Sequence, residues 1–304
     1  MKSIRVVFGS IFCLLMLHIA ASAYRPAAGF FLPDSIHSMT LKYRTVKGLI
    51  VLPVTINDSI QVNLILDTGC RNLILFGRKF RNLFRVDSRK PIEFSGLGAG
   101  APLTGTLSLG NKVSINDVLG HQIPVVVVPN SNLFSNYHEV HGVIGYDIFL
   151  KFEIELNPAE KIITFRPALK SSVPEGYTRV PLQIKDAKPI MRSEVYMSKQ
   201  LSRTLELMID TGSSLGLLLK TTNIGEYGHR DQKVLGIGFN GPISGYATVS
   251  PKLKVDGLEL YSVATGIVSS NWHNNASIGM EILKDYIVIL NYCKSYACFK
   301  RNDA

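Results

Sequence analysis

The stretch Leu64-Ile65-Leu66-Asp67-Thr68-Gly69-Cys70 returns later in the chain as Leu207-Met208-Ile209-Asp210-Thr211-Gly212-Ser213. Apolar residues lead into each acid, and an apolar run follows it, Leu73 to Phe76 in the first copy and Leu215 to Leu219 in the second. Other matches keep the same order: Gly96-Leu97-Gly98 with Gly236-Ile237-Gly238, Pro102-Leu103-Thr104-Gly105 with Pro242-Ile243-Ser244-Gly245, and Val143-Ile144-Gly145 with Ser277-Ile278-Gly279. Phe152 to Asn157 is echoed by Tyr286 to Asn291, each followed by a turn and a strand ending in Phe165 or Phe299. A series of matches in one order implies duplication. The chain is therefore expected to form two related lobes, 45–168 and 177–304, joined by a polar linker at 169–176 and preceded by an extension at 24–44.

Short runs rich in Val, Ile, Leu and Thr, separated by Gly, Pro, Asn and Asp clusters, predict a mostly antiparallel all-β protein. Leu49 to Ile56, Val62 to Leu66, Ile123 to Val128 and Tyr286 to Leu290 are examples. Short helices are expected around Leu73 to Phe84 and Gly145 to Leu150.

Each Asp-Thr-Gly carries its acid into an apolar setting. An isolated buried carboxylate is costly, so equivalent sites for Asp67 and Asp210 predict that the two acids meet and share a proton. One member is then ionised and takes a proton from water, while the other is protonated and donates to a carbonyl oxygen. Gly69 and Gly212 suit a sharp turn with a close neighbour. The Thr68 and Thr211 hydroxyls are suited to bracing the pair through main-chain groups. The glycine-rich segments, with Gly96, Leu97, Gly98, Gly236, Gly238 and Phe239 as candidate substrate contacts, are expected to form covering hairpins. Phe94 and Tyr246 are further candidates there.

These motifs resemble the pepsin and retropepsin group of aspartic peptidases, and most closely the exported bacterial retropepsin-like proteins that carry two Asp-Thr-Gly motifs in one chain. The resemblance spans nearly the whole mature chain. It implies a two-lobed acid-protease fold with a small closed antiparallel β barrel in each lobe. It also implies a nucleophilic water between Asp67 and Asp210, a brace formed by Thr68 and Thr211, a monomer acting on an extended polypeptide, and neither metal nor cofactor. A non-catalytic exported peptide-binding protein of the same fold is the alternative. Cys70 stands where the family usually has Ser or Ala, Ser277 replaces an apolar residue, and Glu93 to Thr106 lacks the flap tyrosine of pepsins.

The remaining features narrow the other function classes. An apolar content of 46% with 18% charged residues suits a packed globular protein. Met1 to Ala23 runs from basic residues through an apolar stretch to Ala21-Ser22-Ala23, the form of a cleaved signal peptide. That apolar stretch is shorter than the roughly 20 residues a spanning helix needs, so export to the periplasm or beyond is expected, with no transmembrane segment after cleavage. The formal charge of +10 becomes +8 without Lys2 and Arg5. The remaining basic residues are scattered, which argues against nucleic-acid binding. Cys293 and Cys298 would either bridge a terminal hairpin, leaving Cys70 odd, or stand unpaired. Gly212-Ser213-Ser214-Leu215-Gly216 fits a nucleophile-elbow pattern but overlaps the second Asp-Thr-Gly and explains nothing in the first lobe. Pro102 and Pro242 break the helices that a dinucleotide fingerprint would need.

Overall fold

The computed structural model describes residues 27–85, 87–131, 133–134, 139–222, 231–270 and 276–302. The leader at 1–23 and the first residues of the extension lie outside them. No helix among the described residues is long and apolar enough to cross a membrane.

The first half of the chain forms β1 (Gly29–Phe31), β2 (Met39–Lys42), β3 (Arg44–Val46), β4 (Leu49–Ile56), β5 (Ile60–Leu66), β6 (Leu73–Phe76), β7 (Asp87–Phe94), β8 (Leu103–Ile115), β9 (Val118–Val128) and β10 (Gly142–Ile144). A short helix α1 (Tyr146–Phe149) leads to β11 (Phe152–Asn157) and β12 (Ile162–Pro167). The second half supplies β13 (Thr178–Pro181), β14 (Gln183–Lys185), β15 (Lys188–Tyr196), β16 (Ser202–Ile209), β17 (Leu217–Thr221), β18 (Lys233–Gly238), β19 (Gly241–Val255), β20 (Leu258–Ser269) and β21 (Ala276–Ile278). It ends with α2 (Met280–Leu283), β22 (Tyr286–Asn291) and β23 (Tyr296–Arg301).

The continuous apolar runs arise because the central strands are buried on both faces. Residues two apart share a face. Leu64, Leu66, Leu73, Leu75, Val125 and Val127 therefore enter the large core. Their neighbours Ile65, Ile74, Phe76, Val126 and Val128 enter a second cluster on the opposite face. In the second lobe, Leu217 and Leu219 face the large core, while Leu218 faces a small cluster with Ile243 and Val268.

The fold is nearly all β, with two sheet-rich lobes, but each lobe's sheet is mixed rather than antiparallel throughout. In lobe one, β10 lies between β5, its parallel neighbour, and β6, its antiparallel one. β6 and β9 are also parallel. The pairing runs β9-β6-β10-β5-β4-β8 and returns through β8–β9. Lobe two repeats this arrangement as β15-β16-β21-β17-β20-β19, returning through β15–β19. A third sheet, β13-β23-β22-β11-β12-β2, spans both halves, with β11 and β22 antiparallel.

The helix expected at Leu73 to Phe84 is not formed as such. Leu73–Phe76 is a strand, followed by a single 3-10 turn at Arg78–Phe80. The run of four buried apolar side chains is filled by a two-sided sheet, which periodicity alone does not separate from a buried helix. The expectation at Gly145 to Leu150 is met by α1. Cys70, Cys293 and Cys298 are free thiols, and Cys293 Sγ donates to the Leu150 carbonyl at 2.9 Å.

Candidate active site

Each Asp-Thr-Gly occupies the turn that leaves a strand hemmed in by its neighbours. Asp67 follows β5, and its N–H donates to the Ile144 carbonyl at 2.9 Å. Asp210 follows β16, and its N–H donates to the Ile278 carbonyl at 2.8 Å. The apolar-apolar-glycine motifs read in the sequence are thus the strands that anchor the two acids. A Cβ at Gly145 would lie 2.0 Å from the Cys70 carbonyl oxygen, so the motif needs glycine there for close backbone approach.

The two turns meet face to face. Thr68 Oγ1 donates to the Ile209 carbonyl at 2.7 Å and accepts from the Thr211 N–H at 3.0 Å. Reciprocally, Thr211 Oγ1 donates to the Leu66 carbonyl at 2.7 Å and accepts from the Thr68 N–H at 3.1 Å. Both threonines are fully buried. These crossed bonds satisfy main-chain groups at the ends of β5 and β16 and tie the lobes together at the acids.

Within each turn the carboxylate accepts from the glycine N–H two residues on. The distances are 2.7 Å from Gly69 to Asp67 Oδ1 and 3.1 Å from Gly212 to Asp210 Oδ1. A Cβ at Gly212 would sit 2.4 Å from the carboxyl carbon of Asp67, and one at Gly69 would be 3.6 Å from Asp210 Oδ1. The second turn therefore presents its bare backbone to the first acid. Burial pushes the Asp67 carboxyl well above the ordinary carboxylate range, and the neighbouring Asp210 charge pushes it further. Asp210 is also raised by burial, but Lys220 and Lys188 pull it back toward ionisation.

A cavity of about 220 Å³ opens over the pair, lined by Asp67, Gly69, Asp210 and Gly212 together with Gly96, Leu97, Gly236, Gly238 and Phe239. A neighbouring space of about 410 Å³ shares Asp67 and Phe239 and extends under Phe134, Val140 and Val143. Gly98 does not line the cavity over the acids. It lies where the two hairpin tips touch, between Leu97 and Asn240. Phe94 packs edge-on against Phe239 at 6.3 Å, and Tyr246 packs against the large core, so neither lines that cavity.

Three participants escaped the sequence reading. Asn240, at the tip of the β18–β19 hairpin, joins it to the tip after β7. Its side-chain carbonyl accepts from Gly96 N–H, its amide donates to Ala101 O, and its backbone carbonyl accepts from Gly100 N–H at 2.6 Å. Asn240 N–H donates in turn to Leu97 O at 3.1 Å. Lys188 and Lys220 line the cavity with the acids, and Lys220 is only 8% exposed. The signal for Lys220 lay in the repeat itself, where Leu73-Ile74-Leu75-Phe76 is matched by Leu217-Leu218-Leu219-Lys220, a charge ending an apolar run.

Residues 52–148 match the family model described as aspartyl protease. No curated protein matches the sequence. Among solved structures, the chain is similar to the aspartic proteinase from Irpex lacteus, with a TM-score of 0.56 at 12% identity, over 88% of this chain and 98% of that one. The chain thus has the two-lobed fold of a pepsin-like aspartic proteinase, and the family match within its first lobe supports an aspartic peptidase family.

Proposed function

We propose that the chain is an aspartic endopeptidase that hydrolyses a peptide bond of an extended polypeptide through Asp67, Asp210 and a water held between them. The observation that carries this reading is the meeting of two equivalent carboxyls, Asp67 buried and Asp210 half-buried, with the Gly212 backbone against Asp67 and the Asp210 charge acting on it. Two adjacent carboxyls share one proton because both cannot ionise cheaply side by side. The ionised member takes a proton from water as the water oxygen attacks the carbonyl carbon, and the other member protonates the carbonyl oxygen. Collapse of the resulting diol breaks the C–N bond, and the nitrogen leaves carrying a proton from the pair. The hairpin edges over the cavity suit a substrate bound as a strand.

Both Asp67→Asn and Asp210→Asn are expected to abolish cleavage of a peptide library while leaving the protein folded, since each removes proton transfer at nearly constant shape. Cleavage near the wild-type rate in both variants would exclude the mechanism. Because burial raises both carboxyls, the singly protonated pair persists above the ordinary carboxylate range. As pH rises Asp67 finally loses its proton, so kcat/KM should trace a bell on the acidic side of neutral. A profile still rising at pH 9 would contradict this.

A further inference from the structure

The duplication is broken at the walls of the cavity. Register fixes the equivalences: Val51 pairs with Ile65 in lobe one as Ile190 pairs with Met208 in lobe two, each partner lying two residues before its aspartate. Leu49 therefore corresponds to Lys188. In the same way Ile74 pairs with Val143 as Leu218 pairs with Ser277, which makes Phe76 the counterpart of Lys220. Phe76 points into an aromatic cluster, 5.3 Å from Phe134 and 5.7 Å from Phe239. By alternation, Lys220 shares the face of Leu218, and it lines the cavity with Asp210. The apolar pair Leu49 and Phe76 of lobe one is thus replaced in lobe two by a cationic pair, Lys188 and Lys220, both lining the cavity.

A buried ammonium is costly unless an anion stabilises it. We infer that Lys220 makes the pair directional, holding Asp210 as the carboxylate that takes the proton from water and leaving the shared proton on Asp67 for the carbonyl oxygen. This inference rests on the peptidase reading of the same site and adds the assignment of roles, with Lys220 as a positioning residue acting through Asp210.

The electrostatics agree with the geometry. Burial raises both acids, but Lys220 favours the charged form of Asp210, whereas Asp67 faces the Asp210 charge and is driven toward its neutral form. Lys188 draws both toward ionisation and so does not choose between them. Burial lowers the Lys220 ammonium, and Asp210 draws it back up. The other titratable groups facing the pair are Cys70 from the first turn and Tyr292 from the turn after β22. Burial foremost, and then the acids' own charge, pushes both upward, so they stay neutral. Asp147 on α1 bears on Cys70, and Tyr146 on Tyr292.

The test follows the titration of the two carboxyls directly, in protein carrying 13C-labelled aspartate, with Asp67→Asn and Asp210→Asn used to assign the signals. In wild type, Asp210 should ionise at lower pH than Asp67. In Lys220→Met, the Asp210 midpoint should rise by about one pH unit or more, while Lys220→Arg keeps it within about half a unit. On a quenched fluorescent peptide selected with wild-type protein, the acidic limb of kcat/KM should move up with it. The Met variant should then lose about tenfold at one unit below the wild-type midpoint. Asp67 ionising first in wild type would overturn the inference without the need for a variant, as would an unmoved Asp210 signal in folded Lys220→Met. A wild-type protein that cleaves nothing would count against the peptidase reading, and the order of ionisation would still decide this inference.

Discussion

Thr68 and Thr211 show how much of this site is held by main chain rather than by the acids. Each hydroxyl both donates to and accepts from the opposite turn, with no water-exposed alternative at full burial. Thr68→Val keeps the shape but strands the Ile209 carbonyl and the Thr211 N–H in the interior. It should cost roughly 2–3 kcal/mol in urea unfolding, whereas Thr68→Ser, which keeps the hydroxyl, should cost under about 1 kcal/mol. Equal losses for the two would mean that methyl packing, not the crossed bonds, holds the turn. Asp67, Thr68 and Gly69 and their second-lobe equivalents were legible in the sequence because the repeat aligns them. Lys188 was not, because a single lysine on a strand ordinarily reads as a solvated position; Lys220 left a trace as a charge ending an apolar run, but only the tertiary structure puts the two at the acids.

The hairpins are the elements whose behaviour the sequence described least well. Their glycines predicted covering hairpins, and the structure shows two tips fastened to each other through Asn240. Asn240→Ala removes its side-chain bonds and should speed amide hydrogen exchange at the 95–102 tip by roughly tenfold or more, the equivalent of losing about one net hydrogen bond. Unchanged exchange would show that the backbone pairing alone holds the tips. Leu73–Phe76 makes the opposite point, since its four buried apolar residues fit a helix turn as well as a strand, and the choice was made by β9 and β10 flanking it.

The molecule is held as one body by the six-stranded sheet beneath the lobes as well as by the crossed threonines. Its centre is the β11–β22 pair, in which the two echoed segments of the repeat lie against each other, Glu153 opposite Asn291. Glu153 is buried at 1% exposure and accepts from the Tyr296 hydroxyl and from Asn291 Nδ2 at 3.1 Å, with Arg166 at 3.8 Å. Glu153→Ala would leave those donors facing an empty site and should destabilise the protein by roughly 3 kcal/mol or more in thermal unfolding. A change within about 0.5 kcal/mol would mean that the network is dispensable to the join.

The sequence by itself determined that the chain is duplicated, that it is β-rich, and that Asp67 and Asp210 are equivalent. All of these are written along the chain, in an apolar run ending in an acid, a threonine and a glycine and in the ordered return of that pattern, and need no knowledge of which strands pair. Tertiary structure alone decided the parallel steps in each sheet, the clasp between the hairpin tips and the cationic wall beside Asp210. Those depend on which strands become neighbours, and pairing between distant segments sets that.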